Sequence, residues 1–246
     1  MRRAAIVAVF FAAGVGLAIL IARPGPSTVP PPPEPSAREF LDRGELDRAA
    51  DAAREAVRRD DSAEANAILG FVQYKKGDLA GARSLLDRAQ RRDPNHAPAY
   101  LYRGQVSLSE RDWRGARADF DECIRLAPDR AEGYALRAEA RFHEIEHAGA
   151  VEDATRAIKL DGSCVAAYFS RGCAFGALGR ADDAIRDYSK CLELKPEHVG
   201  AVHNRAKLHA TAGDYERAIR DWERAIALKP ALRDELQPLI DAARGK

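Results

Sequence analysis

The sequence predicts an all-α solenoid of helix-turn-helix repeats, preceded by one transmembrane helix and a proline-rich linker. Three observations predict it: an uninterrupted apolar run behind two N-terminal arginines, a proline cluster, and a 34-residue self-similarity filling the rest of the 246-residue chain. The composition is that of a folded protein, with 46% hydrophobic and 31% charged residues. A formal net charge of +1, from 39 basic and 38 acidic residues, leaves no electrostatic footprint for nucleic acid or an anionic membrane surface. The cysteines (Cys123, Cys164, Cys173 and Cys191) form no CxxC pair and are too sparse for a disulfide framework.

Residues 1–23 are the expected membrane helix. Arg2 and Arg3 precede the run AAIVAVFFAAGVGLAILIA from Ala4 to Ala22. At about 1.5 Å per residue this run matches the ~30 Å hydrocarbon core of a bilayer. It exceeds the ~7–15 apolar residues of a signal peptide. The best cleavage pair, Leu20 and Ala22, is followed closely by Pro24, and no lipobox cysteine is present. An uncleaved signal anchor is the first expectation and a cleaved signal peptide the second. The positive-inside rule keeps the arginines in the cytoplasm and sends the remaining chain outside, into the periplasm of a Gram-negative host. With cleavage the product is instead a soluble periplasmic or secreted protein. Residues 24–35, PGPSTVPPPPEP, favour extended polyproline II and read as a spacer.

The 34-residue period runs without a gap from Ala63 to Pro230. Small residues recur as Gly70, Gly104, Ala138, Gly172 and Ala206, as Ala82, Ala116, Ala150, Ala184 and Ala218, and as Ala89, Cys123, Ala157, Cys191 and Ala225. Bulky residues recur as Leu86, Phe120, Tyr188 and Trp222, with Ala154 breaking the series. Prolines 94, 128, 196 and 230 punctuate the ends. Helices this short are marginal alone, so such repeats gain stability by stacking. The expected units are a degenerate first repeat over 36–62, full repeats over 63–96, 97–130, 131–164, 165–198 and 199–230, and a capping helix over 231–246. The repeat over 131–164 is the least regular, with Ile145 at a turn-glycine position and Gly162 in place of proline. It is expected to be a soft joint.

On these residues the chain resembles the tetratricopeptide repeat (TPR) family. LYRGQVSLSERDWRGARADFDECIRLAP looks like one full copy and YFSRGCAFGALGRADDAIRDYSKCLELKP like another. The resemblance implies a right-handed α-solenoid in which each repeat has two antiparallel helices, A and B. It also implies that helix A lines a concave groove, chiefly through its positions 2, 5, 6, 9, 12 and 13. Carried onto this chain, the groove residues are Ile68, Phe71, Tyr74, Leu101, Tyr102, Gln105, Phe142, Phe169, His203 and Lys207. The groove is then aromatic toward its N-terminal end and polar toward the other, as suits an extended peptide or an amphipathic helix. Several of these side chains could equally pack between neighbouring helices. The carboxylate clamp of chaperone-binding relatives is absent, since Phe169 and Cys173 stand where lysine and asparagine are needed.

Two further patterns bear on chemistry. Arg103, Arg137, Arg171 and Arg205 share position 7, and Asp119, Asp153, Asp187 and Asp221 share position 23, whereas the first full repeat has Leu69 and Leu85. Because both positions switch together, a structural Arg–Asp pair is expected within each repeat. His143-Glu144-Ile145-Glu146-His147 matches the H-E-x-x-H pattern, which needs both histidines on one helix. In this register it straddles a turn, so no metal site is expected. With no nucleophile context or glycine-rich phosphate loop, the chain reads as a non-enzyme without cofactor or small-molecule substrate. The expected function is a membrane-anchored scaffold holding a protein or peptide partner. A structural subunit that assembles through the solenoid edges is the alternative.

Overall fold

The computed structural model describes residues 36–246, so the expected membrane helix over 1–23 and linker over 24–35 lie outside the described residues. Among the described residues there are thirteen α-helices, one 3-10 turn and no strand, and no helix is long and apolar enough to cross a membrane. A short α1 (Ala37–Asp42) and α2 (Leu46–Asp60) form the first pair. Five A/B pairs follow: α3 (Ala63–Lys75) with α4 (Leu79–Arg92), α5 (Ala97–Ser109) with α6 (Trp113–Leu126), and α7 (Ala131–His143) with α8 (His147–Leu160). Next come α9 (Val165–Ala177) with α10 (Ala181–Leu194), and α11 (Val199–Thr211) with α12 (Tyr215–Leu228). The last helix, α13 (Arg233–Arg244), buries Leu236 and Ile240 in the core formed with α12 and closes the stack.

Local chemistry sets the helix ends. Ser36 and Glu39 form a capping box, and Ser62, Asp78, Asp112 and Asp214 accept hydrogen bonds from backbone amides three residues on. The A-to-B turn requires a left-handed residue, supplied by Gly77, Gly179 and Gly213 at φ between 74° and 86°. Arg111 (φ 62°) and Ile145 (φ 66°) take the same conformation without being glycine.

Small residues admit large ones where the helices cross. A Cβ on Gly104 would stand 2.4 Å from the Phe120 ring, one on Gly70 2.8 Å from Leu86, and one on Gly172 2.8 Å from Tyr188. Cys123 and Cys191 are fully buried, and burial pushes each thiol up to about 11, so they serve as small apolar fillers.

The expected Arg–Asp pair is present in all four repeats, with closest contacts of 2.6 to 2.8 Å. Each arginine also reaches back to α4, α6, α8 or α10 of the preceding pair. Arg103 donates to Asp87 at 2.7 Å, Arg137 to Asp121 at 2.7 Å, Arg171 to Thr155 at 3.2 Å and Arg205 to Ser189 at 2.9 Å. The pair is therefore a staple across three helices. Burial opposes the charge of Arg103 and Arg137, yet the bonds to their carboxylates hold both pKa values above the ordinary arginine value.

Each A helix touches the A helix of the next pair, while no successive B helices make comparable contact. The A helices therefore form the inner side of the curve. That arrangement is what positions the groove.

Candidate binding groove

The structure separates the ten expected groove residues into three groups. Ile68 (1% exposed) and Leu101 (0%) are core residues and are not available to a partner, which corrects their assignment. The physical reason is that each A helix packs against both helices of the preceding pair, so an apolar side chain at that seam is sealed inside the stack. Tyr102 and Gln105 are nearly buried, and their polar ends hydrogen-bond to Arg38 and Glu132. Phe71, Tyr74, Phe142, Phe169 and His203 are half-buried, and Lys207 is exposed.

The best-formed part lies at the N-terminal end. The Phe71 and Tyr102 rings stack with centroids 4.3 Å apart, joining α3 to α5. The Lys75 ammonium sits 4.8 Å from the Phe71 ring and 5.3 Å from the Tyr74 ring, within cation–π range. Arg38 on α1 donates to the Tyr102 hydroxyl at 3.0 Å and to Glu64 at 3.0 Å, which fixes the tyrosine tip. Burial raises the Tyr102 phenol pKa although Arg38 works against it, so the ring is a neutral anchor. Phe71, Lys75, Tyr102 and Arg38 line a cleft of about 430 Å³ with Leu41, Leu46 and Arg130. The first short pair contributes Arg38, Leu41 and Leu46. Reasoning from the sequence missed them because the groove was traced only from the first full repeat onward.

The middle and C-terminal parts are less concentrated. Phe169 packs 4.6 Å from His198 and 6.0 Å from Tyr188, so part of its surface is already used. Phe142 lies 5.3 Å from His147. Asn204 donates to the Tyr188 hydroxyl at 3.3 Å, and the His203 Nδ1 is sealed without a partner. Burial lowers the His203 pKa, which keeps the ring neutral at pH 7.

The H-E-x-x-H residues fall on two helices and the turn between them. His143 ends α7, Glu144 is its C-cap and His147 opens α8. His143 stacks on Trp113 at 4.1 Å, and Glu144 lies 3.2 Å from Arg117. Among the described residues no cluster of three or more His, Cys, Asp or Glu could hold a metal ion.

No curated protein matches the sequence. The chain superposes on solved structures, of which three are representative. MamA is 23% identical at TM-score 0.56, covering 68% of this chain and 97% of that one. YrrB, described as a TPR protein with an unusual peptide-binding site, is 21% identical at TM-score 0.56, over 74% and 94%. A chain of the APC/C hetero-tetramer Cut9–Hcn1 is 16% identical at TM-score 0.76, covering 84% of this chain and 41% of that one. At such identities these likenesses show the fold alone. Residues 36–97 and 169–233, together more than half of the sequence, match the tetratricopeptide repeat family. The chain belongs to the tetratricopeptide repeat family.

Proposed function

We propose that this protein is a membrane-anchored scaffold that holds a protein or peptide partner in its concave groove and performs no catalysis. One observation carries the reading: Phe71 and Tyr102 stack on the inner side of the structure, with Tyr74 beside Phe71, and Phe71, Tyr102 and Lys75 line a cleft of about 430 Å³. Rigid aromatic anchors beside a cleft are what a groove needs to hold an extended chain at low entropic cost. The peptide-binding site described for YrrB supports the same use of this fold. The apolar run of residues 4–22 supports anchoring, and the proline-rich segment would project the repeats away from the lipid.

The test is affinity capture from detergent-solubilised host membranes with the full chain as bait, beside a variant carrying Phe71→Ala, Tyr102→Ala and Phe142→Ala. Circular dichroism first establishes that the variant folds. Capture by the first bait and loss from the second supports the groove, while equal capture moves the site to the outer face or the ends. Anchoring is tested separately by alkaline extraction of membranes. The protein should stay with the lipid, and release into the supernatant would end that part of the reading.

A second reading, assembly through the solenoid edge, is favoured by Ile145. This β-branched residue is 77% exposed in a left-handed turn. Light scattering of the full chain in detergent should then show an oligomer that Ile145→Asp dissociates, and a monomer rejects it.

A further inference from the structure

Most partly buried charges in this chain have a partner. The position-7 arginines meet aspartates, Arg38 meets Glu64, and Glu144 meets Arg117. Glu139 is the exception on the groove side. It is half-buried on α7 and makes no hydrogen bond or ion pair among the described residues. In its helix it occupies the place that Gln105 holds on α5 and Cys173 on α9. Gln105 donates to Glu132 at 3.3 Å and Cys173 contacts Tyr188 and Asn204, so both neighbours in the row are engaged. The Glu139 oxygens are not among the sealed, partnerless polar atoms, so its carboxylate remains open to the groove. One turn away on α7 lie Ala135, Leu136 and Phe142, with His143, stacked on Trp113, as the one polar neighbour. A carboxylate left half-dehydrated without a counter-charge is unfavourable, and a cationic donor is the group that relieves it most.

Resting on the groove reading above, we propose that Glu139 sets partner specificity by accepting a lysine or arginine side chain from an extended segment whose flanking residues are apolar. Charge complementarity selects this occupant. The α7 stretch of the groove offers one unneutralised negative charge set in apolar surface, so an acidic segment is repelled and a purely apolar one leaves the carboxylate stranded. Spacing narrows the pattern further. Adjacent A helices stand roughly 8–10 Å apart, and an extended chain covers about 3.3 Å per residue. A residue seated on the Phe71–Tyr102 stack and a basic residue at Glu139 are then separated by about three to six positions.

The test is selection of random twelve-residue peptides displayed on phage against the full chain in mild detergent, repeated with Glu139→Gln and with Phe71→Ala. The expected result is a shared pattern of an aromatic or aliphatic residue followed or preceded, within that spacing, by lysine or arginine. A labelled consensus peptide should lose at least tenfold in affinity on Glu139→Gln, with a smaller loss in 0.5 M salt. Peptides whose binding depends on Phe71 but not on Glu139, or that show no basic preference, overturn the proposal and leave the groove reading standing. Peptides indifferent to both residues, or no selection at all, overturn both.

Discussion

The repeats over 97–130 and 131–164 have helices of identical length, yet their interiors differ almost completely. The first buries Leu101, Tyr102, Val106, Phe120 and Cys123, whereas every buried apolar residue between 131 and 164 is an alanine. The crossings explain how both fit one backbone. Phe120 fills the space left by Gly104, while Ala154 stands opposite Ala138, so a large–small pair is replaced by two residues of intermediate size. The helices close up around the alanines, and α7 and α9 come into more extensive contact than any other two A helices. Good fit therefore does not imply equal stabilisation. A buried phenylalanine removes far more apolar surface from water than an alanine, at about 25 cal/mol per Å². Other supports are also thinner at the central unit. Tyr100 and Tyr134 donate to the carbonyls of Pro94 and Pro128 at 3.0 and 3.2 Å, but at the junction after the alanine-rich repeat Tyr168 faces a loop with Gly162 in place of proline.

The largest expected effect tests this contrast directly. Phe120→Ala should cost about 3–5 kcal/mol, as core phenylalanine truncations do. Ala154→Gly, at the same place in the next repeat, should cost only about 1 kcal/mol, the helix penalty of glycine. Urea unfolding of the full chain at fixed detergent concentration measures both. In native-state hydrogen exchange, α7 and α8 should open before α5 and α6. Equal losses, together with equal protection, would break the comparison.

A second experiment sharpens it by rebuilding the crossing. Ala154→Phe alone overpacks the seam against Ala138 and should destabilise by about 1–3 kcal/mol. Adding Ala138→Gly recreates the Gly104–Phe120 arrangement, so the double variant should be more stable than the sum of the single changes predicts. A coupling within about 0.5 kcal/mol of zero would mean the two sites act independently and the size-swap account is wrong.

Ile145→Gly should have a smaller effect, in the stabilising direction. A β-branched residue in the left-handed region costs on the order of 1–2 kcal/mol, part of which is offset by the greater freedom of glycine in the unfolded chain. A gain of about 1 kcal/mol is expected, and less for Arg111→Gly because arginine is unbranched at Cβ. A loss of stability on Ile145→Gly would show that the side chain makes a contact that outweighs the strain.

The repeat architecture was legible because the small residues that permit helix crossing recur at a fixed spacing, and a period needs no knowledge of distance. The Arg–Asp pair was legible for a related reason, since Leu69 and Leu85 change together in the one repeat that lacks it. The staple's third arm was not. Its acceptors are Asp87, Asp121, Thr155 and Ser189, a mixed set on the preceding repeat that no single residue type marks. In the groove, the family resemblance placed Phe71, Tyr74 and Tyr102 on the inner side of helix A but also placed Ile68 and Leu101 there. Separating the seam with the preceding pair from the open face takes the distance of approach between two helices, which a helical period does not encode. Arg38 was missed because α1 is only six residues long and looked like a remnant.

The smallest effect concerns Glu139 and its counterpart Gln105, the inward residues of the two repeats under comparison. Burial alone raises the Glu139 pKa above its ordinary value, with no charged neighbour acting on it. A carboxyl whose folded pKa is raised contributes stability that is fully present below its unfolded pKa of about 4.3 and is lost as pH rises through the folded value. At pH 7 the wild type therefore carries a penalty that Glu139→Gln removes, so the variant should melt at higher temperature. Near pH 3, where the wild-type group is protonated, the two should melt together. The reciprocal change, Gln105→Glu, places a second carboxylate beside Glu132 and should lower the melting temperature at pH 7 more than at pH 3. A Glu139→Gln advantage that persists unchanged at pH 3 would mean the gain comes from packing and not from charge. The free carboxylate on α7 would then lose its standing as an electrostatic liability kept open for a cation.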